Sequence, residues 1–223
     1  MLLEPKGQLP NALGIHQRPR QLGPEPLGLG DRVPEDQAVI QGATGKATFS
    51  KCGTYRWTLS RTWDSRPPLL TCMFNPSTAD GKQDDPTISL LCHIAAHNGF
   101  GGIVVVNGIP LCSPRPAEAV DMVNTWDKRQ AWYERDALVS NTATIQTECE
   151  RAGAVLLAWG ALADRCALWF EHVIEEIECA LPEGVQIYFL GKTAGGYPKH
   201  PMARGKHKVP KDAKLIPWVG DAP

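Results

Sequence analysis

The amino-acid sequence predicts an α/β protein: a three-layer α/β/α sandwich around a mainly parallel four-stranded sheet, preceded by an N-terminal hairpin. Three observations predict it. Four short runs are apolar almost throughout, as strands buried on both faces of a parallel sheet are. Helical periodicity fills the stretches between them. Polar residues follow the runs directly, where the loops of such sheets carry ligands. The 223 residues suit one domain with a tail, and a 43% apolar content is enough for a real core.

Residues 1–45 are dense in Pro and Gly, among them Pro19, Pro24, Pro26, Gly28, Gly30 and Pro34. Such a segment buries too little apolar area to offset its ordering entropy. It is expected to be a disordered tail, with residues 46–219 as the single domain. Order begins with a hairpin over Thr48–Ser50 and Tyr55–Leu59, where Tyr55, Trp57 and Leu59 alternate with polar residues. Arg66-Pro67-Pro68 ends it.

The four buried strands are read at Leu69–Phe74, Ile103–Val106, Ala154–Trp159 and Val185–Leu190. The first helix opens at Asp85-Pro86, a capping residue followed by a proline suited to the first turn. It carries a face of Ile88, Leu91, Cys92 and Ala95 and closes at Asn98-Gly99. A second helix spans about Ala131 to Arg151, with a break or shift near Asn141. A third, Leu162 to Leu181, repeats apolar residues at Cys166, Trp169/Phe170, Val173/Ile174, Ile177 and Ala180/Leu181.

The seven cysteines form no C-x-x-C pair, so a zinc ribbon is not indicated. Their odd number, inside apolar runs, fits a reducing compartment. No stretch approaches the roughly 20 apolar residues of a membrane helix, and Met1–Gly7 does not read as a leader. A cytoplasmic monomer is expected. The net charge of −1 announces no nucleic-acid partner, but a local patch can be basic on a neutral protein.

The loops after the four strands hold the candidate chemistry. The first is Asn75-Pro76-Ser77-Thr78-Ala79-Asp80, then Asp84-Asp85. The second is Asn107-Gly108-Ile109-Pro110, and the third Gly160-Ala161-Leu162. The fourth runs from Gly191 past His200-Pro201 to Lys206. It carries Lys192, Lys199, Arg204 and Lys206, then Lys208 and Lys211, with no acid until Asp212. Phosphate contacts require such local basic charge, though a flexible basic surface loop has the same composition. His93 and His97 sit one helical turn apart with no third ligand nearby, so ordinary helix surface is favoured over zinc. Gly191-Lys192-Thr193 lacks the earlier glycine of a phosphate-binding loop, since position 186 is Gln.

Together these residues carry a resemblance. Phe49 to Gly53 with Tyr55 and Arg56, Asn75 to Asp80, Asp85-Pro86-Thr87, Ala158-Trp159-Gly160 and His200-Pro201 are similar to the bacterial and phage family known as domain of unknown function 1643. The resemblance spans roughly residues 47–218. In the same order, Asn75-Pro76, Asn107, Trp159-Gly160 and His200-Pro201 resemble the motifs of the uracil-DNA glycosylase superfamily.

That second resemblance implies a hydrolase of N-glycosidic bonds, acting on uracil or a modified pyrimidine extruded from DNA. It needs no cofactor and no metal. It assigns Asn75 to positioning water, His200 to stabilising the departing base and Asn107 to reading the base edge. Phe74, Ser77, Trp159 and Gly160 complete the base pocket. Small Ser77 stands where uracil-specific relatives often have a bulky aromatic, so a 5-substituted pyrimidine is expected to fit. Asn75 cannot take a full proton; Asp80 and Asp84 are expected to supply the general base or to bind a divalent cation, against the plainer reading of a solvated loop, while Asp85, also a candidate catalytic residue, is most economically an N-cap. Lys192, Tyr197, Lys199, Met202, Arg204 and Lys206 are expected to contact nucleic acid, with Tyr197 stacking on a base. Two rival readings keep the fold: a non-catalytic reader of modified DNA bases in phage–host conflict, and an enzyme on free nucleotides or nucleosides.

Overall fold

A computed structural model of the chain describes residues 42–125, 128 and 131–219. Most of the expected tail, residues 1–41, lies outside the described residues. Strand β1 starts at Thr44, two residues before the domain boundary expected at 46.

The sheet has seven strands. They are β1 (Thr44–Phe49), β2 (Arg56–Thr62), β3 (Pro68–Met73), β4 (Gly102–Asn107), β5 (Ala154–Leu157), β6 (Gln186–Phe189) and β7 (Ile216–Pro217), in the spatial order β1-β2-β4-β3-β5-β6-β7. The expected count of four is corrected. The hairpin β1–β2 is no appendage but part of the sheet, through antiparallel pairing of Leu59 with Val105 and Arg61 with Ile103. At the other edge β7 pairs antiparallel with β6. Between them β4, β3, β5 and β6 run parallel. The hairpin joins because Leu59 is fully buried against β4, an apolar side chain that a free hairpin would leave in water.

Helix α1 (Pro86–His97) covers one face of the sheet. Helices α2 (Pro116–Thr125), α3 (Trp132–Cys149) and α4 (Ala167–Ala180) accompany the other. Strand alternation sorts the cores. Leu69, Ile103, Val105 and Leu156 meet Ile88, Leu91 and Ala95 of α1. Leu70, Cys72, Val106, Val155 and Leu157 meet Leu138, Ile145, Phe170, Val173 and Ile177.

Helix α2 was not expected from the periodicity, and two of the expected helices differ from it. Helix α3 is continuous through Asn141, whose buried side chain donates to the carbonyls of Asn107 (2.8 Å) and Gly108 (3.3 Å). A polar residue that looks like an interruption is thus a strut between α3 and the end of β4. The Leu162 segment is a 3-10 turn, Ala161–Cys166, before α4 proper. Helix α1 begins as expected: Asp85 Oδ1 accepts from the N–H groups of Thr87 and Ile88, both at 2.9 Å. At its other end Asn98 donates to the carbonyls of Ile94 and Ala213 and accepts from Leu215 N–H, tying the C-terminal segment to the helix.

No described helix is long and apolar enough to cross a membrane.

Candidate functional site

The four loops after the parallel strands converge at one end of the sheet. Gly108 N–H bonds Met73 O (2.8 Å), Ile109 N–H bonds Phe74 O (3.0 Å) and Ser113 N–H bonds Pro76 O (3.0 Å), joining the first two loops. Gly160 N–H bonds Pro198 O at 2.9 Å, joining the third and fourth. Gly160 has φ +86, and a Cβ there would lie 2.9 Å from His200 Cβ. The residue after Trp159 is therefore glycine for two reasons, its backbone angle and the seat it leaves for His200.

Asn75 is held by its amide nitrogen. Nδ2 donates to the carbonyls of Pro76 (2.9 Å), Leu111 (3.1 Å) and Ser113 (2.9 Å). Three acceptors around one nitrogen fix which way the amide points, so Oδ1 is the atom left without a partner among the described residues. His200 is held similarly. Its Nδ1 accepts from Met202 N–H at 3.0 Å. A neutral ring then carries its proton on Nε2, which faces no protein acceptor among the described residues. Burial holds His200 below the usual histidine range, opposed by the Asp85 carboxylate nearby.

The three aspartates separate by role. Asp80 Oδ1 accepts from the N–H groups of Lys82 (2.7 Å) and Gln83 (2.8 Å), which lowers its pKa and makes it a turn residue. Asp84 pairs with buried Arg61, Oδ1 to Nη2 at 2.6 Å. Asp85 uses Oδ1 as the helix cap, while Oδ2 has no hydrogen bond among the described residues. Of the three, only Asp85 acts electrostatically on His200.

Strand alternation puts Asn107 on the α1 face, in step with Ile103 and Val105. It is fully buried, and neither Nδ2 nor Oδ1 finds a hydrogen-bond partner among the described residues. Phe74 and Trp159 go the other way. Phe74 stacks on Phe170 at 5.2 Å, Trp159 meets Phe170 at 4.9 Å, and both belong to the core under α3 and α4. Their side chains are separated from Asn107 by the sheet itself. Ser77 is exposed on its loop.

The fourth loop also divides. Tyr197 is 8% exposed and packed in the core, because its ring gains more from burial there than from water; as it stands it offers no face to a base. Lys192 Nζ sits 5.4 Å over the Trp218 ring. Lys199 bonds Gly191 O through its backbone (2.9 Å) and lays its side chain along that glycine. Met202, Arg204 and Lys206 are exposed. A cavity of about 930 Å³ opens beside the His200-Pro201 turn, lined by Leu90, Pro201, Met202, Arg204, Lys208, Lys211 and neighbours. Asn75, Asn107 and His200 do not line it.

A family model described as "protein of unknown function (DUF1643)" matches residues 56–202. The chain belongs to this family. No curated protein and no solved structure matches it. The segment that the DUF1643 family shares opens at Arg56 and closes at Met202, so it holds the first three converging loops and the fourth as far as Met202, leaving Arg204 and Lys206 outside.

Arg56 is the functional candidate that sequence reasoning missed. Alternation around Tyr55 and Trp57 put it on the solvent side, yet it is 3% exposed. It donates Nη1 to Ala79 O at 2.8 Å, beneath the Asn75 loop. Burial pulls its pKa down, while Cys112 and Asp85 oppose. The only sequence signal was its place in the motif beginning at Phe49. His93 donates Nδ1 to Ser89 O at 2.7 Å, as a helix-surface residue does. Among the described residues no group of three or more His, Cys, Asp and Glu side chains gathers as for a metal ion.

Proposed function

We propose that this DUF1643 protein is a hydrolase of N-glycosidic bonds, acting on uracil or a modified pyrimidine in nucleic acid. The observation that carries the reading is the orientation of His200. Its Nδ1 is occupied by Met202 N–H and its burial favours the neutral ring, so it offers an Nε2–H donor. A base that departs as an anion needs such a donor, fixed in advance and neutral beforehand.

Two further groups support it. Asn75 presents a carbonyl oxygen whose direction is set by three bonds on the other end of the amide, as an acceptor that orients water requires. Asp85 keeps one carboxylate oxygen unbonded among the described residues and its charge acts on His200; in this reading it takes the proton from that water. Asn107 supplies both a donor and an acceptor without partners among the described residues, the pattern a pyrimidine edge satisfies. The motif order shared with the uracil-DNA glycosylase superfamily points the same way, as do the parallel strands between helical layers. Exposed Arg204, Lys206, Lys208 and Lys211 give the adjoining loop the charge that a phosphate backbone favours.

The test is release of free base from oligonucleotides carrying uracil, hydroxymethyluracil or bulkier 5-substituted pyrimidines. Release is expected from at least one. Removing the His200 donor is expected to slow it about 10²–10³-fold. Undiminished release by the Asn75→Ala, His200→Ala double variant would refute these roles.

A further inference from the structure

Two arginines of β2 are buried almost equally and differ in what meets their charge. Arg61, 5% exposed, is fully engaged: Nε with Asp84, Nη1 with Ser60 O, and Nη2 with Asp80 O and Asp84. Arg56, 3% exposed, donates only Nη1 among the described residues, to Ala79 O. Its Nε is sealed from solvent without a partner, and no carboxylate forms a salt bridge with it among the described residues. Nη2 likewise has no partner among the described residues, and unlike Nε it is not fully sealed from solvent. An unpaired buried guanidinium is costly. The same fold shows on Arg61, five residues along the strand, how that cost is met when the charge is structural.

The surroundings of Arg56 belong to the site already described. Ala79 is in the Asn75 loop, Cys112 follows the Asn107 loop, and Asp85 acts on both Arg56 and His200. A planar guanidinium presents parallel N–H groups that match the oxygens of a phosphate.

We propose that Arg56 is the anion anchor of this site and binds the phosphate group of a nucleotide whose base lies toward His200. The base half of this statement rests on the glycosidase reading above; the phosphate half does not.

The experiment uses the full chain, wild type and the Arg56→Lys and Arg56→Gln variants. Inorganic phosphate, 2′-deoxyuridine, its 5′-monophosphate and a deoxyuridine-containing single strand are titrated. The arginine Nε–Hε signals are followed by NMR, and affinities are measured calorimetrically. In wild type, phosphate is expected to shift the one arginine signal that disappears in Arg56→Lys. The monophosphate is expected to bind about 10-fold or more tightly than the nucleoside. Arg56→Gln abolishes that preference and Arg56→Lys keeps part of it. If the strand reproduces the shift and the monophosphate does not, the phosphate is that of a polymer; the reverse names a free nucleotide, and both support the anchor. A phosphate shift without nucleoside binding or base release keeps the anchor and removes its base half. The proposal is overturned if no phosphate-bearing compound moves the wild-type Arg56 signal, a readout that stands even where Arg56→Gln fails to fold. An unchanged nucleotide preference in folded Arg56→Gln overturns it equally.

Discussion

His200 and Asn75 owe their free atoms to bonds made on the opposite end of each side chain. That is how a small site obtains direction from residues that rotate easily: one end is clamped, and the other is thereby aimed. For His200 the clamp has a pH consequence. Burial depresses its pKa below the ordinary value of about 6.5. The unfolded chain therefore binds a proton more readily than the folded one, so stability contributed here is present above that value and lost as pH falls through the folded pKa. Protonation also removes the Nδ1 lone pair that receives Met202 N–H. Thermal unfolding followed from pH 7.5 to 5 is expected to show the acid loss shrink in His200→Gln. An identical pH slope in wild type and variant would contradict it.

Helix α1 makes the clearest case at the scale of the element. Its start was legible in the sequence because Asp85-Pro86 is a local signal, and capping is a local interaction. Its second use was not, since the nearness of Asp85 to His200 joins loops 115 positions apart. The two uses can be separated. Asn caps as well as Asp, so Asp85→Asn is expected to change stability by less than about 1 kcal/mol while slowing base release about 10²-fold or more. Asp85→Ala is expected to cost about 1 kcal/mol in addition to the activity. Urea denaturation beside the base-release assay checks both, and full activity in Asp85→Asn would leave Asp85 a cap only. The four parallel strands were legible for the same kind of reason: burial on both faces leaves an unbroken apolar run. The role of the hairpin was not, because alternation tells which residues share a face and is silent on which strand lies alongside. Helix α2 was overlooked although its apolar face is as marked as that of α4. Arg56 was misplaced by that alternation, and the separation of Phe74 and Trp159 from Asn107 follows from a sheet parity that one strand alone does not reveal.

For the molecule as a whole, thiol chemistry maps the layers. Cys72, Cys92 and Cys149 are buried, and desolvation raises them, Cys92 and Cys149 to about 12. Cys52 is exposed in the hairpin turn, where hydrogen bonds from Ser50 and Thr54 lower it to about 7. Thiolate is the reactive form. Maleimide labelling of the folded protein at pH 7.5 is expected to modify Cys52 first, with Cys72, Cys92 and Cys149 following only on denaturation. Mass mapping that finds Cys72 labelled as fast as Cys52 would contradict the layer arrangement.

The two margins of the sheet are unequal. At one, β7 is two residues long and its second residue, Pro217, has no N–H to give. At the other, β1 runs six residues, Thr44–Phe49, with a single neighbour among the described strands. A strand from another molecule seeking backbone bonds meets a blunted border on the β7 side and, among the described residues, an unspent row of donors and acceptors on the β1 side. Crowding or partial unfolding should accordingly fuse copies through their hairpins, and Lys46, projecting from that row, is the charge that works against it.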